Sequence, residues 1–101
     1  MKKIVGGRKY DTETAKLLGA DGYSSRNDFN FWRQELYLKK TGEFFLYGEG
    51  GPRSQYGRTV GQNCWEGGED IEPLTEEEAK NWAEKHLDAD NYESIFGEVE
   101  E

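Results

Sequence analysis

Alternating apolar and polar positions are clearest in the middle of the chain, on either side of Thr41-Gly42. The two runs, Gln34–Lys40 and Glu43–Gly48, predict a β-hairpin with a two-residue turn. That turn sets the facing pairs Lys40–Glu43, Leu38–Phe45 and Leu36–Tyr47. Tyr37 and Leu46 would then share the other face. Because both faces carry apolar side chains, we expect this hairpin to be central in a sheet and covered on both sides.

The N-terminal residues carry a turn signal and a cap signal. Gly6-Gly7 inside Lys2–Tyr10 predicts a tight hairpin, because glycine adopts the positive φ of a two-residue turn. Asp11 is typical of a helix N-cap, since its carboxylate can accept from the N–H groups of the next turn. With Gly19 as the stop, the sequence predicts a short helix over Thr12–Leu18.

The remaining stretches before the C-terminus are less regular. Phe29–Arg33 is compatible with a helix capped by Asn27 or Asp28, but we favour an extension of the following strand. Gly48–Gly68 holds seven of the thirteen glycines and is predicted to be a long loop. Glu69–Leu74 is predicted to be a short edge strand, limited by its proline.

The C-terminal sequence has the start and stop signals of two helices. Thr75 and Glu78 form a capping box. The first helix would bury the apolar stripe Ala79, Trp82, Ala83, His86 and Leu87. A second cap, Asp88 or Asp90, precedes a shorter stripe that Gly97 ends. Its apolar members are Tyr92, Ile95 and Phe96.

These elements predict one α+β domain over residues 1–97 and a frayed acidic tail over 98–101. Its antiparallel sheet would have four or five strands, with one short N-terminal helix and two C-terminal helices. Aliphatic residues are scarce, but fourteen aromatic residues can supply a core. Trp82 is the expected anchor of that core, with Tyr37, Phe45 and Ile95 as neighbours.

Charge is divided unevenly along the chain. Residues 1–65 carry eleven Lys/Arg and seven Asp/Glu, whereas residues 66–101 carry two Lys and fourteen Asp/Glu, for a total of −8. A strongly acidic end repels nucleic acid and anionic membranes and attracts basic protein surfaces. The alternative is a charged, solvated surface that only keeps the protein soluble.

Several features point to a cytoplasmic protein that is not bound to membranes. No run reaches the roughly 18 apolar residues of a membrane-spanning helix, and the N-terminus does not have the pattern of a signal peptide. The single cysteine, Cys64, fits a reducing compartment. We expect it to be a small, semi-buried residue rather than a reactive thiol.

No catalytic motif is visible, so the sequence does not predict an enzyme. The one histidine, His86, lies on the apolar side of a predicted helix, where a core or rim position is expected. Neither a zinc signature nor a phosphate-binding loop is present. The sequence therefore predicts no metal and no cofactor.

Two groups of residues are candidates for binding a partner. On the first C-terminal helix Glu77, Asn81, Glu84 and Asp88 fall on one line opposite the core stripe, and Asp90 and Glu93 extend the acidic region. At about 1.5 Å rise per residue, Glu77 and Glu84 are roughly 10 Å apart. Such a row can occupy a basic groove built for a phosphate backbone.

The second group lies in the glycine-rich loop. Arg53, Tyr56 and Arg58 could clamp a phosphate or stack on a base. The overall charge and the lack of a sustained basic stripe argue against direct binding of nucleic acid.

Several stretches together resemble a group of small acidic proteins of phages, plasmids and conjugative elements in Gram-positive bacteria. They are Lys3–Ala15, Glu35–Tyr37, Lys40–Gly51, and the ending from Pro73-Leu74-Thr75 through Ile95-Phe96-Gly97-Glu98. Some mobile-element proteins similar at the Tyr10-Asp11-Thr12-Glu13-Thr14-Ala15 start are anti-CRISPR inhibitors of the Cas9 nuclease. The resemblance implies an inhibitor but assigns the inhibition to no residue.

The expected function is therefore an acidic protein-binding inhibitor that blocks a Cas9-type nuclease by occupying a basic nucleic-acid groove. The alternative is a small regulatory or nucleic-acid-associated protein that acts through the Arg53–Arg58 loop.

Overall fold

A computed structural model describes all residues, 1–101, as eight strands followed by two helices. The elements are β1 (Lys2–Val5), β2 (Arg8–Asp11), β3 (Lys16–Tyr23), β4 (Trp32–Leu38), β5 (Phe44–Gly50), β6 (Arg58–Gly61), β7 (Cys64–Glu66), β8 (Gly68–Leu74), α1 (Glu76–His86) and α2 (Ala89–Phe96). The main sheet is antiparallel with the order β3-β4-β5-β8, and β1-β2 and β6-β7 are separate hairpins. The predicted N-terminal hairpin is confirmed, with positive φ at Gly6 and Gly7.

The predicted N-terminal helix is wrong, because the chain turns after Asp11 and then forms β3. The Asp11 carboxylate accepts from the N–H of Glu13 at 2.9 Å, so the cap signal is real but serves a turn. Pairing with β4 then extends the chain. Gly19 does not end a helix: a Cβ there would lie 2.8 Å from Leu87 Cδ1, so the missing side chain lets the end of α1 approach the sheet.

The central hairpin is present, but its predicted register is wrong by one residue. The N–H of Lys39 donates to the Glu43 carbonyl at 2.8 Å, and Gly42 has φ 91°, so the loop has three residues instead of two. The observed pairs are Leu36–Leu46, Tyr37–Phe45 and Leu38–Phe44. Because side chains alternate along a strand, this shift moves every β5 side chain to the opposite face.

Both faces of the sheet are covered, as predicted for its central hairpin. The face toward α1 buries Leu36, Leu46, Ala79, Trp82 and Ala83, and the opposite face buries Tyr10, Tyr37, Phe45 and Ile71. Trp82 is confirmed as a core residue, with 8% of its surface exposed. Its predicted neighbours Tyr37 and Phe45 are wrong, because both belong to the cluster on the opposite face. From α2, Tyr92 and Phe96 border the Trp82 cluster, and the predicted Ile95 does not.

The predicted long loop, Gly48–Gly68, contains more regular structure than expected. It includes the end of β5, a turn region, the β6-β7 hairpin and the first residue of β8. The predicted edge strand is confirmed, since β8 lies at the end of the sheet order. The strand extension predicted over Phe29–Arg33 begins only at Trp32, because the residues before it form turns: the N–H of Phe31 donates to the Asp28 carbonyl at 3.1 Å.

Both C-terminal helices are confirmed. The N–H of Glu78 donates to Thr75 Oγ1 at 3.1 Å, and the N–H of Thr75 donates to the Glu78 carboxylate at 2.9 Å. Asp88 caps α2, and Gly97 ends it with φ 92°. Residues 98–101 have no regular secondary structure. Neither helix has the length and apolar character needed to cross a membrane.

Candidate functional site

Ion pairs are concentrated in the sheet and the hairpins, and the C-terminal carboxylates take no part in them. The paired carboxylates are Asp21, Glu35, Glu43, Glu49, Glu66 and Asp70. From Glu76 to Glu101 the chain carries ten Asp/Glu and two Lys. None of those ten carboxylates lies within ion-pair distance of a cation. The C-terminal region is therefore acidic and uncompensated.

Part of this charge surrounds one shallow depression of about 580 Å³, here called the acidic depression. Its lining comprises Glu84, Leu87, Asp88, Ala89, Tyr92, Glu93, Val99, Glu100 and Glu101. The structure thus brings together three of the predicted acidic residues, Glu84, Asp88 and Glu93. Glu77 and Asp90 are exposed on the helices but lie outside the depression.

The tail supplies two carboxylates that the sequence argument missed. The N–H of Val99 donates to the Glu93 carboxylate at 3.2 Å, which holds the tail beside α2. Glu100 and Glu101 then join the lining of the depression. No spacing rule predicts this contact, because the tail lacks the periodicity of a helix or strand.

Asp88 lies beyond the end of α1, so the prediction that it continues the line of Glu77, Asn81 and Glu84 on one helix is wrong. It has a structural role instead. Its Oδ1 accepts from the N–H of Asn91 at 2.8 Å and so caps α2. The two lysines of α1 leave the acidic charge unpaired. Lys80 lies 5.8 Å from the ring centre of Phe96, and Lys85 borders a different groove, with His86.

The three predicted loop residues are separated by the structure. Tyr56 points inward, where its hydroxyl accepts from Gln34 Nε2 at 2.8 Å, and burial raises its pKa. Its ring occupies the space of a side chain at Gly48. Arg58 forms an ion pair with Glu66. Arg53 is exposed and has no ion-pair partner, so it is the one member of this group free to bind.

His86 lies at the rim of the core, as predicted. Its Nδ1 is 2.8 Å from Asp21 Oδ2, and its ring stacks on Trp82 with centres 4.8 Å apart. Cys64 is exposed, so the prediction of a semi-buried residue is wrong. No group of three or more His, Cys, Asp or Glu side chains is arranged to hold a metal ion.

Comparisons with family models, curated proteins and solved structures yield no match. The resemblance to mobile-element proteins therefore stays a prediction.

Proposed function

We propose that this protein is a stoichiometric inhibitor that binds a Cas9-type nuclease and places its acidic depression in a basic nucleic-acid groove. The observation that carries the proposal is the unpaired charge of the C-terminal region. Ten carboxylates from Glu76 to Glu101 have no ion-pair partner, whereas six of the eleven Lys/Arg in residues 1–65 are paired. Such a surface gains most from a partner that supplies cations.

The composition of the depression supports a protein partner. Besides the carboxylates, its lining includes Leu87, Tyr92 and Val99. Apolar contacts of this kind add affinity beyond charge, and protein interfaces combine such a centre with a polar rim. Glu84 lies in the last turn of α1 and Asp88 caps α2, so the two carboxylates flank the junction between the helices. Lysine and arginine side chains of a groove that holds phosphates can instead pair with such carboxylates.

The proposal includes the absence of catalysis and a cytoplasmic location. Binding alone blocks a nuclease if it covers the groove that guide or target strands must enter. Such nucleases act in the cytoplasm, and the exposed thiol of Cys64 is compatible with a reducing compartment.

The test compares two double variants that remove the same charge. Glu84→Gln with Glu93→Gln changes the depression, whereas Glu13→Gln with Glu72→Gln changes exposed carboxylates elsewhere. Inhibition of plasmid cleavage would be measured against guide-loaded Cas9-type nucleases from Gram-positive bacteria. We expect the first variant to inhibit at least tenfold more weakly and the second to act like the parent protein.

Binding of the parent protein should also weaken as salt is added, because exposed charges are screened beyond about 8 Å at physiological ionic strength. Equal loss in both variants would show that only total charge matters. Absence of inhibition across the nucleases would refute the proposed function.

A further inference from the structure

A second surface, unrelated to the acidic depression, lies between the β6-β7 hairpin and the preceding turns. It is a groove of about 580 Å³, here called the aromatic groove. Its lining residues are Phe29, Pro52, Arg53, Asn63, Cys64 and Trp65. This volume falls within the range of pockets that hold small ligands.

Two aromatic side chains in this groove are unusually exposed. Phe29 is 64% exposed and Trp65 is 58% exposed. Neither ring pairs with another aromatic ring, although Trp32 and Trp82 both do. Singly exposed apolar side chains are common, but two exposed aromatic rings that line one groove are typical of an interaction site.

Backbone contacts fix the geometry of the groove. The N–H of Arg53 donates to the carbonyl of Phe29 at 2.8 Å, so the two loops that carry these residues are tied together. Asn63 turns the β6-β7 hairpin with φ 59°. This turn places Cys64 and Trp65 at the start of β7, on the groove.

The charge of the aromatic groove is opposite to that of the C-terminal region. Two nearby arginines are neutralised, Arg26 by Glu49 at 2.6 Å and Arg58 by Glu66. Arg53 has no such partner. None of the six lining residues is acidic, although Asp and Glu make up 21 of 101 residues. The groove therefore suits an anion.

We propose that the aromatic groove binds single-stranded nucleic acid, with a base stacked on Trp65 or Phe29 and a phosphate held by Arg53. Proteins that bind single strands without sequence preference commonly stack the bases on aromatic side chains and hold the phosphates with nearby cations. The Asn63 amide can donate to and accept from a base edge. The net charge of the whole chain does not describe this groove, because ten of the fifteen carboxylates without an ion-pair partner lie between Glu76 and Glu101. This proposal does not rest on the proposed function.

The probes are a fluorescein-labelled thymidine decamer and a uridine decamer at about 50 mM salt, where phosphate contacts are strong. We expect saturable binding of both, with quenching of indole fluorescence. Trp65→Ala and Arg53→Ala should each weaken binding at least fivefold. The controls Tyr23→Ala and Arg8→Ala remove an exposed aromatic ring and an exposed cation elsewhere and should bind like the parent protein. Circular dichroism would check that each variant is folded.

A blunt duplex of the same length should bind more weakly than the single strands, because its bases are already stacked. The proposal is wrong if neither decamer binds, or if the control variants lose as much affinity as the groove variants. It is also wrong if the decamers fail to bind while Trp65→Ala weakens binding to a nuclease. That result would make the groove a protein-docking surface.

Discussion

The indole N–H of Trp82 donates a hydrogen bond of 2.8 Å to the side-chain oxygen of Gln34, and this buried contact ties α1 to the sheet. The amide of Gln34 then donates to the hydroxyl of Tyr56, also at 2.8 Å. One side chain thus links the helix, β4 and the turn before β6. Because each of these polar atoms has its partner, the link avoids the cost of a buried unsatisfied group.

The first prediction concerns this link. Gln34→Leu replaces the amide with an apolar side chain of similar size and leaves the Trp82 N–H without an acceptor. We expect the free energy of unfolding to fall by about 2–3 kcal/mol, measured by urea denaturation. Gln55→Leu, at an exposed position, should change it by less than about 0.5 kcal/mol. Equal effects of the two substitutions would mean that the buried amide is not a structural link.

A second prediction contrasts two tryptophans. Trp82→Ala empties the core between α1 and the sheet and should cost about 3–5 kcal/mol of unfolding free energy, enough to unfold a domain of this size. Trp65→Ala, with 58% exposure in the parent side chain, should cost less than about 1 kcal/mol. Thermal melts of both variants provide the comparison, and a stable Trp82→Ala protein would contradict the observed packing of α1.

The third prediction concerns Gly48, whose missing side chain makes room for the Tyr56 ring. Gly48→Ala should displace that ring and destabilise the protein by about 1–3 kcal/mol. In a Tyr56→Ala background the same change should cost much less, because the obstruction has been removed. A double-mutant cycle by urea denaturation measures this coupling. Additive effects would show that the two positions do not touch.

A fourth prediction follows from Tyr37. Burial, and after it the hydrogen bond to Glu35, raises the pKa of Tyr37 to about 12, compared with 10.0 for a free tyrosine. The folded state therefore holds its phenolic proton more tightly than the unfolded state does. The associated stability is complete below pH 10 and is lost as the pH rises from about 10 to 12.

Tyr37→Phe should reduce this alkaline loss of stability, which can be followed by urea denaturation between pH 8 and pH 11, values that bracket the onset of the transition. Tyr23→Phe, at an exposed position, is the matched control. If Tyr37→Phe loses as much stability between pH 8 and pH 11 as the parent protein, other groups cause the loss.

The parts of the fold that the sequence predicted correctly depend on local chemistry. The capping box of Thr75 and Glu78 lies within one helical turn, so it is readable from two residues. The register of the central hairpin could not be predicted from the sequence, because it depends on whether the loop has two or three residues, the third being Gly42. β3 was missed because its stability comes from pairing with β4, which lies more than ten residues away for most of its length.

The candidate site was also predicted only in part. Helical periodicity predicted an acidic line on α1, but the line stops at Glu84, because Asp88 lies beyond the end of that helix and caps α2. Glu84, Asp88 and Glu93 do lie together around the depression. Glu100 and Glu101 join the depression because Val99 bonds to Glu93, a contact that no sequence pattern predicts. In the same way Tyr56 looked available in a glycine-rich loop, and only the three-dimensional fold shows that it points at Gln34.

The unpaired carboxylates of the C-terminal region have a consequence for the free protein. They repel one another across α1, α2 and the tail, so the isolated molecule stores electrostatic energy that a cationic partner would release. Added salt should therefore act in opposite directions, raising the stability of the free protein by screening this repulsion while weakening the complex. The same charges that favour binding make the unbound protein less stable than its core alone would allow.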